Sequence, residues 1–408
     1  MSNIFLCHKN FKDEFVEFVE RKGAGHPDTL SDALAERLSS NYSRYTLEKY
    51  GAILHHNFDK VGLLGGSSYV SFGEGYLTDP IRILLNGRVS ICFGNERIPV
   101  EELLTKWTEE FFIQKLPMIS VDKDLDIRYN VSSQSSPGET EDESGKSGTR
   151  KYWFCPRNFA DIQELSNLLS NDTSLGVGYA PRTDLENLVL DIERRLNSES
   201  FKEYNSWIGS DIKILGFRNH KKYMITICIP QIANFVENAV EYKKNLKKAR
   251  KEIFNIAEKN NVKDLDLNIN TRDNLQTMEL YLTAIGSSIE SGDEGLVGRG
   301  NRVGGVIPVM KPLSMEGACG KNPVYHVGKL YYVAAEKIAN DVNGEFGIPV
   351  EIFLASQSGR DLVDPWIVLV RVPYGFDEAP KLKNYVENRL KSIPELTQPI
   401  IDEDCILY

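Results

Sequence analysis

The stretch from Gly286 to Lys329, GSSIESGDEGLVGRGNRVGGVIPVMKPLSMEGACGKNPVYHVGK, decides how the rest of the chain is read. Seven of its first 20 residues are glycine, and Arg299, Arg302, Lys311, Lys321, His326 and Lys329 follow at short intervals, with Asp293 and Glu316 the notable acids of its middle. Glycine lets a backbone take positive φ and bring N–H groups close to oxygens, and fixed cations offset the charge of a bound polyphosphate. Composition alone fits a plain surface loop equally well. Length tips the balance, because a structureless connection of this size is uncommon in a compact chain unless it binds something.

Upstream, GHPDTLSD (Gly25 to Asp32) opens a helix. Leu30, Leu34, Leu38 and Tyr42 fall on one stripe, with Pro27 at the helix entrance, where its missing N–H costs nothing. Asp28, Asp32 and Glu36 fall on the opposite face, which periodicity by itself reads as solvated. The segment 52–100 has strand patterning, and the Asn86-Gly87 dipeptide between two apolar runs predicts a hairpin turn. A helix is predicted from Val100 to Leu116, buried through Leu103, Leu104, Trp107, Phe111 and Phe112. Ser132 to Lys151 is polar and predicted mobile; its GKS lacks the earlier glycine of a P-loop, since Thr140 stands in that place. Thr183 to Glu186 forms a capping box for a helix through Leu185, Leu188, Val189, Ile192 and Leu196. A second hairpin is expected in 211–229 with its turn near Asn219, then a charged helix over 235–259. Strand-like runs at 265–269, 280–285, 350–355 and 366–372 alternate with helices after Asn322 and near the C-terminus. Hairpins with long helices laid across them describe an α+β fold.

With 408 residues and a formal net charge of −10, the chain is large enough for several domains and unsuited to nonspecific nucleic-acid or anionic-membrane binding. No apolar run approaches the roughly 18 residues of a membrane span. Six cysteines without a CxxC pair point to neither a zinc site nor a disulfide framework, and fit a reducing cytoplasm.

The motifs GDEGLVGRGNR, GACGKNP and HVGK, together with GHPDTLSD, ILHHNFDKVGLLGG (Ile53 to Gly66) and NDTSLGVGYAP (Asn171 to Pro181), resemble the methionine adenosyltransferases, or S-adenosylmethionine synthetases, of the archaeal type. They occur in the family's order and span most of the chain. The resemblance implies three similar α+β subdomains in a pseudo-threefold arrangement, their sheets covered by helices. It divides this chain into regions 1–130, 152–262 and 263–408 around the polar segment 131–151, with the true subdomains discontinuous in sequence. Repetition of Asp-x-small-Leu at Asp172 to Leu175 and Asp293 to Leu296 suits such a plan.

The reaction so implied is attack of the methionine sulfur on C5′ of ATP, displacing tripolyphosphate, which is then hydrolysed to diphosphate and phosphate. Such a step needs alignment of the reacting atoms and stabilisation of the leaving oxygen, not a protein nucleophile. Carried over, the catalytic residues are His26, Arg299 and Lys321. The ATP and phosphate contacts are His26, Asp293, Arg299, Arg302, Lys321, His326 and Lys329; methionine meets Asp172 and Asp293; Asp28 and Asp32 take Mg²⁺. Stimulation by K⁺ and a homodimer or dimer of dimers with interfacial active sites are also implied. The chain departs from the bacterial and eukaryotic branch at Tyr325 and Val327, where that branch has lysine and aspartate, and at Ser67, where it has a methionine-binding glutamate. Two rival functions remain at this point: a noncatalytic nucleotide-binding regulator, and an ATP or tripolyphosphate hydrolase without alkyl transfer.

Overall fold

The helix predicted after GHPD runs from Pro27 to Tyr50 (α1) in a computed structural model that describes residues 3–11, 15–134, 144 and 149–408. Most of the polar segment 131–151, with its GKS, lies outside the described residues. Leu30, Leu34, Leu38 and Tyr42 are fully buried, as the stripe predicts. The opposite face is buried too: Asp28, Asp32 and Glu36 are 8%, 2% and 4% exposed, so the solvated reading of these acids is overturned. They are covered by backbone, described below.

Among the described residues three sheets of four or five strands carry the fold, beside three two-stranded ribbons. In the first, Leu125–Ser132, Ile81–Val89, Gly62–Leu64 and Glu294–Leu296 lie in that order, with His56–Asn57 also paired to Ile81–Val89; α1 and α2 (Val100–Lys115) pack on its core. The second runs Asp264–Ile269, Lys222–Cys228, Lys213–Asn219, Val16–Lys22 and Ile307–Pro308, under α3 (Asp184–Asn197) and α4 (Ala239–Lys259). The third runs Ile4–Lys9, Ile367–Pro373, Val350–Ala355 and Leu175–Ala180, under α5 (Val327–Phe346) and α6 (Ala379–Leu390).

One topology recurs in all three. A helix is followed by an antiparallel strand pair, then a second helix, and a strand added parallel to the second member of the pair. A parallel neighbour cannot be reached by a tight turn, which is why α2 and α4 stand between the strands they connect. In the third unit the parallel strand is Ile4–Lys9, from the other end of the chain. Each first hairpin strand also gains an antiparallel strand from a remote segment: Glu294–Leu296, Val16–Lys22 and Leu175–Ala180 respectively. Sheets therefore take strands across the boundaries 1–130, 152–262 and 263–408. The two Asp-x-small-Leu segments lead into equivalent added strands of the first and third sheets.

Local sequence signals fared differently. The Thr183 capping box forms, Glu186 N–H donating to Thr183 Oγ1 at 3.2 Å and Thr183 N–H to Glu186 Oε2 at 2.7 Å. The second hairpin turns after Asn219, with His220 at φ 55°. Asn86-Gly87 is not a turn: Ile81–Val89 runs straight through it, paired in parallel with Leu125–Ser132. Gly87 is needed there for close approach, since a Cβ would stand 2.4 Å from the Asn57 carbonyl oxygen. Asn86 is held instead by Lys60 O and Asn130. Of the run 280–285, only Leu282–Thr283 is strand.

Candidate active site

The acidic face of α1 grips the glycine-rich stretch one turn at a time. Asp28 Oδ1 accepts Leu296 N–H at 3.0 Å, Asp32 Oδ1 accepts Gly298 N–H at 2.8 Å, and Glu36 Oε2 accepts Gly320 N–H at 2.9 Å. Cations complete the set: Lys22 Nζ lies 2.8 Å from Asp28 Oδ2, and Lys329 Nζ 2.7 Å from both oxygens of Glu36. Burial pushes the Asp32 carboxyl up to about 7, against the pull of Gly298 N–H and Arg302. Only glycine allows so close a contact. A Cβ on Gly295 would sit 2.0 Å from the Pro27 carbonyl, and one on Gly300 2.2 Å from Asp32 Oδ2.

At the head of α1, His26 is the N-cap, and its Nδ1 accepts Asp28 N–H at 3.2 Å. A ring nitrogen that accepts carries no proton, so the neutral imidazole bears its N–H on Nε2. Burial pushes His26 below its ordinary range, against the carboxylates of Asp211 and Asp28. Asp211 is pushed up by burial, against His26 and its bonds to Ser288. Both residues line a cavity of about 530 Å³ together with Lys213, Arg272, Tyr281, Ser288 and Asp293, among others. The Ser288 hydroxyl lies 2.6 Å from Asp211 Oδ2 and 3.0 Å from Asp293 Oδ2, bridging the two carboxylates.

The remaining cationic residues divide into groups. Arg299 is exposed, and its carbonyl accepts Lys22 Nζ at 2.7 Å, which puts it beside Asp28. Arg302 Nη1 donates to Gly298 O at 2.8 Å, next to Asp32. Lys321, by contrast, is buried with Asp59 Oδ2 at 3.3 Å and Glu316 Oε1 at 2.5 Å. Burial raises Asp59, but Lys321 and Lys60 outweigh it and hold the carboxyl below its usual range. His326 caps α5 as His26 caps α1, its Nδ1 accepting Gly328 N–H at 3.2 Å; burial and the nearby Lys321 push it down to about 3. Asp172 is exposed near the same end of α5, where its neighbour Asn171 accepts Val327 N–H through Oδ1 at 3.1 Å. The structure thus joins His26, Asp28, Arg299 and Asp293 at one corner, and Lys321, His326 and Asp172 around the start of α5. Arg299, Arg302, Lys321, His326, Lys329 and Asp172 do not line the cavity.

The S-adenosylmethionine synthetase family model matches residues 5–142 and 156–404. The chain belongs to the S-adenosylmethionine synthetase family. Its relatives include the S-adenosylmethionine synthase of Thermoplasma volcanium, 38% identical over 95% of this chain and 94% of that protein. That of Hyperthermus butylicus is 37% identical over 97% and 96%. The fold matches a solved S-adenosylmethionine synthetase from Campylobacter jejuni with a TM-score of 0.60 at 12% identity, covering 95% of this chain and 92% of that one. S-adenosylmethionine synthesis is accordingly the activity of this chain, and neither the regulator nor the hydrolase reading is favoured. Among the described residues no helix is long and apolar enough to cross a membrane.

No local signal in the sequence marks Asp211, Lys213, Arg272, Tyr281 or Ser288 as lining the cavity of this synthetase. Asp211 and Lys213 sit at the start of an ordinary alternating strand, and only the tertiary fold sets them against His26. Ser288 lay within the opening stretch; its position between Asp211 and Asp293 is a three-dimensional fact.

Proposed function

We propose that the cavity at the head of α1 holds ATP with C5′ near His26, and that the methionine sulfur displaces tripolyphosphate there. The observation that carries this reading is the His26 tautomer: with Nδ1 committed to Asp28 N–H, Nε2–H is a fixed donor for the oxygen on which negative charge grows. Its lowered affinity for a proton keeps the imidazole neutral before substrate binds, and an incoming polyphosphate favours charging it. Asp293, shared through Ser288 with Asp211, offers a carboxylate to the cationic sulfonium. Arg299, Arg302 and Lys321 are assigned to the phosphates, with His326 and Lys329 ordering the surrounding segment, and Asp172 to methionine.

Magnesium fits a substrate-borne mode. Among the described residues no group of three or more His, Cys, Asp or Glu side chains could hold a metal ion. Asp28 already meets Lys22 and Leu296 N–H, and Asp32 is enclosed beside Gly300. Mg²⁺ commonly binds one or two carboxylates and takes its remaining ligands from phosphates and water. Asp28 would supply a carboxylate oxygen once the phosphates draw Lys22 away, and the ion would neutralise charge on the leaving group. Asp32 is better employed holding Gly298. Stimulation by K⁺ stays part of the reading on family grounds.

The three topological units are proposed to relate by a pseudo-threefold axis, and the active site to form between two copies. Support comes from the equivalent corners, His26 with Asp293 in the first unit and His326 with Asp172 in the third. Incubation with ATP, methionine and Mg²⁺ tests the reaction by mass detection of S-adenosylmethionine. Phosphate release without the sulfonium product would defeat it.

A further inference from the structure

Two of the six cysteines that sequence leaves scattered are brought together. Cys92 begins a short strand, Cys92–Phe93, and Cys155 follows the described 3-10 turn Thr149–Tyr152. Backbone bonds lock the two segments side by side on both flanks of the pair. Ile91 N–H donates to Phe154 O at 3.2 Å, and Gly94 N–H donates to Pro156 O at 2.8 Å. Both thiols are free and half-buried. The backbone bonds set Cys92 and Cys155 beside each other, and burial, with the neighbouring Cys155 thiol adding to it, pushes the Cys92 thiol up to about 11. Neither residue lines the cavity.

We infer that Cys92 and Cys155 are a redox modification site, a dithiol that closes to an intramolecular disulfide by exchange with a low-molecular-weight disulfide. One thiolate attacks a sulfur of RSSR, forming a mixed disulfide and releasing RS⁻. The second thiol loses its proton to solvent and attacks the protein sulfur of the mixed disulfide, releasing a second RS⁻. Two protein thiols are oxidised and one RSSR is reduced to two RSH. A neighbouring thiol already fixed by the flanking backbone makes the second step intramolecular, so the mixed disulfide does not persist. Exchange quickens as pH rises, since the thiolate is the attacking species.

The bond would close the chain from 92 to 155, and the resulting limit on the unfolded ensemble stabilises the oxidised protein. It would also tie down Trp153, whose carbonyl lies 2.6 Å from His55 Nδ1, and so the segment beside the His55-His56 motif.

The test uses the full chain, equilibrated with reduced and oxidised glutathione over a range of ratios at pH 8, then acid-quenched, alkylated under denaturing conditions and mapped by mass spectrometry. The expected result is a Cys92–Cys155 cross-linked peptide that accumulates cooperatively, with Cys7, Cys228, Cys319 and Cys405 not joined to either. A rise in Tm of several degrees should accompany it and vanish on reduction. Cys155→Ser should leave Cys92 as a lasting glutathione adduct or unmodified, while circular dichroism verifies its fold. Alkylation of both cysteines at every ratio, persistent glutathione adducts on the wild-type pair, or linkage of either to another cysteine would overturn the assignment.

Discussion

At the head of α1, the two nitrogens of His26 face separate tasks, and substitutions can separate them. His26→Asn keeps an N-cap acceptor for Asp28 N–H but removes the Nε2 donor, whereas His26→Ala removes both. We expect S-adenosylmethionine formation to fall at least about 100-fold in either variant, by loss of one charge-stabilising donor. Stability should drop by about 1 kcal/mol for alanine and little for asparagine. An asparagine variant within about tenfold of wild type would remove His26 from the leaving oxygen. Asp293→Asn probes the other end of the substrate: alkyl transfer should decline while hydrolysis of added tripolyphosphate survives, because the carboxylate faces the sulfonium. Equal losses in both assays would end that division of labour. Lys321 is less simple than its motif suggests, since its ammonium is already paired with Asp59 and Glu316 and must exchange partners to meet a phosphate.

Between elements, the contact that organises the molecule is α1 against the glycine-rich stretch. Lys329 and Glu36 form its deepest ion pair, 0% and 5% exposed at the side chain. Lys329→Met should cost about 3 to 5 kcal/mol, because it strands a buried carboxylate. Adding Glu36→Gln should recover part of that loss, and urea midpoints of the single and double variants measure the recovery. No recovery would mean that the lysine contributes packing, not charge. Buried histidines give the same region a pH response. His56 Nδ1 lies 2.9 Å from Leu54 O and its Nε2 2.8 Å from Ser39 Oγ; burial lowers it to about 3, as burial does His326. The unfolded chain therefore binds more protons than the folded one between about pH 3 and 6.5, and stability is lost as pH falls through that window. Each histidine contributes a slope of about 1.4 kcal/mol per pH unit; Asp32, raised to about 7, works in the opposite sense. His56→Asn should consequently lose about 2 kcal/mol less than wild type between pH 6.5 and 5. Parallel urea midpoints across that range would show His56 titrating alike in both states.

For the whole molecule, the two half-sites make an assembly prediction. If His26 of one copy works with Asp172 of another, mixing His26→Ala and Asp172→Asn chains after mild dissociation should restore activity. Random pairing gives half heterodimers, each with one intact site of two, or about a quarter of wild-type activity. Light scattering on the same samples measures the mass. Activity that stays at the level of the separate variants, or an active monomer, would confine the site to one chain. Large apolar side chains left exposed on sheet strands, Phe18, Leu215 and Leu296 among them, are available to such a contact.

Local chemistry was legible in the sequence wherever a few neighbouring residues settle the outcome. The Thr183 cap and the apolar stripes of α1 and α3 depend on spacing alone, and the ordered motifs were enough to point to the family. Asn86-Gly87 misled because the same dipeptide serves a tight turn or a close strand crossing, and only the approach of Asn57 selects between them. The acids of α1 misled for a related reason. Periodicity says which residues share a face, but not what covers it, and here the cover is backbone from some 270 positions away in the chain (Asp28 to Leu296). Strand partners drawn from the opposite end of the chain, the meeting of Asp211 with His26, and that of Cys92 with Cys155 are likewise long-range contacts. Each depends on how three separately buried cores are joined, a choice that the global burial of apolar surface makes and no local pattern encodes.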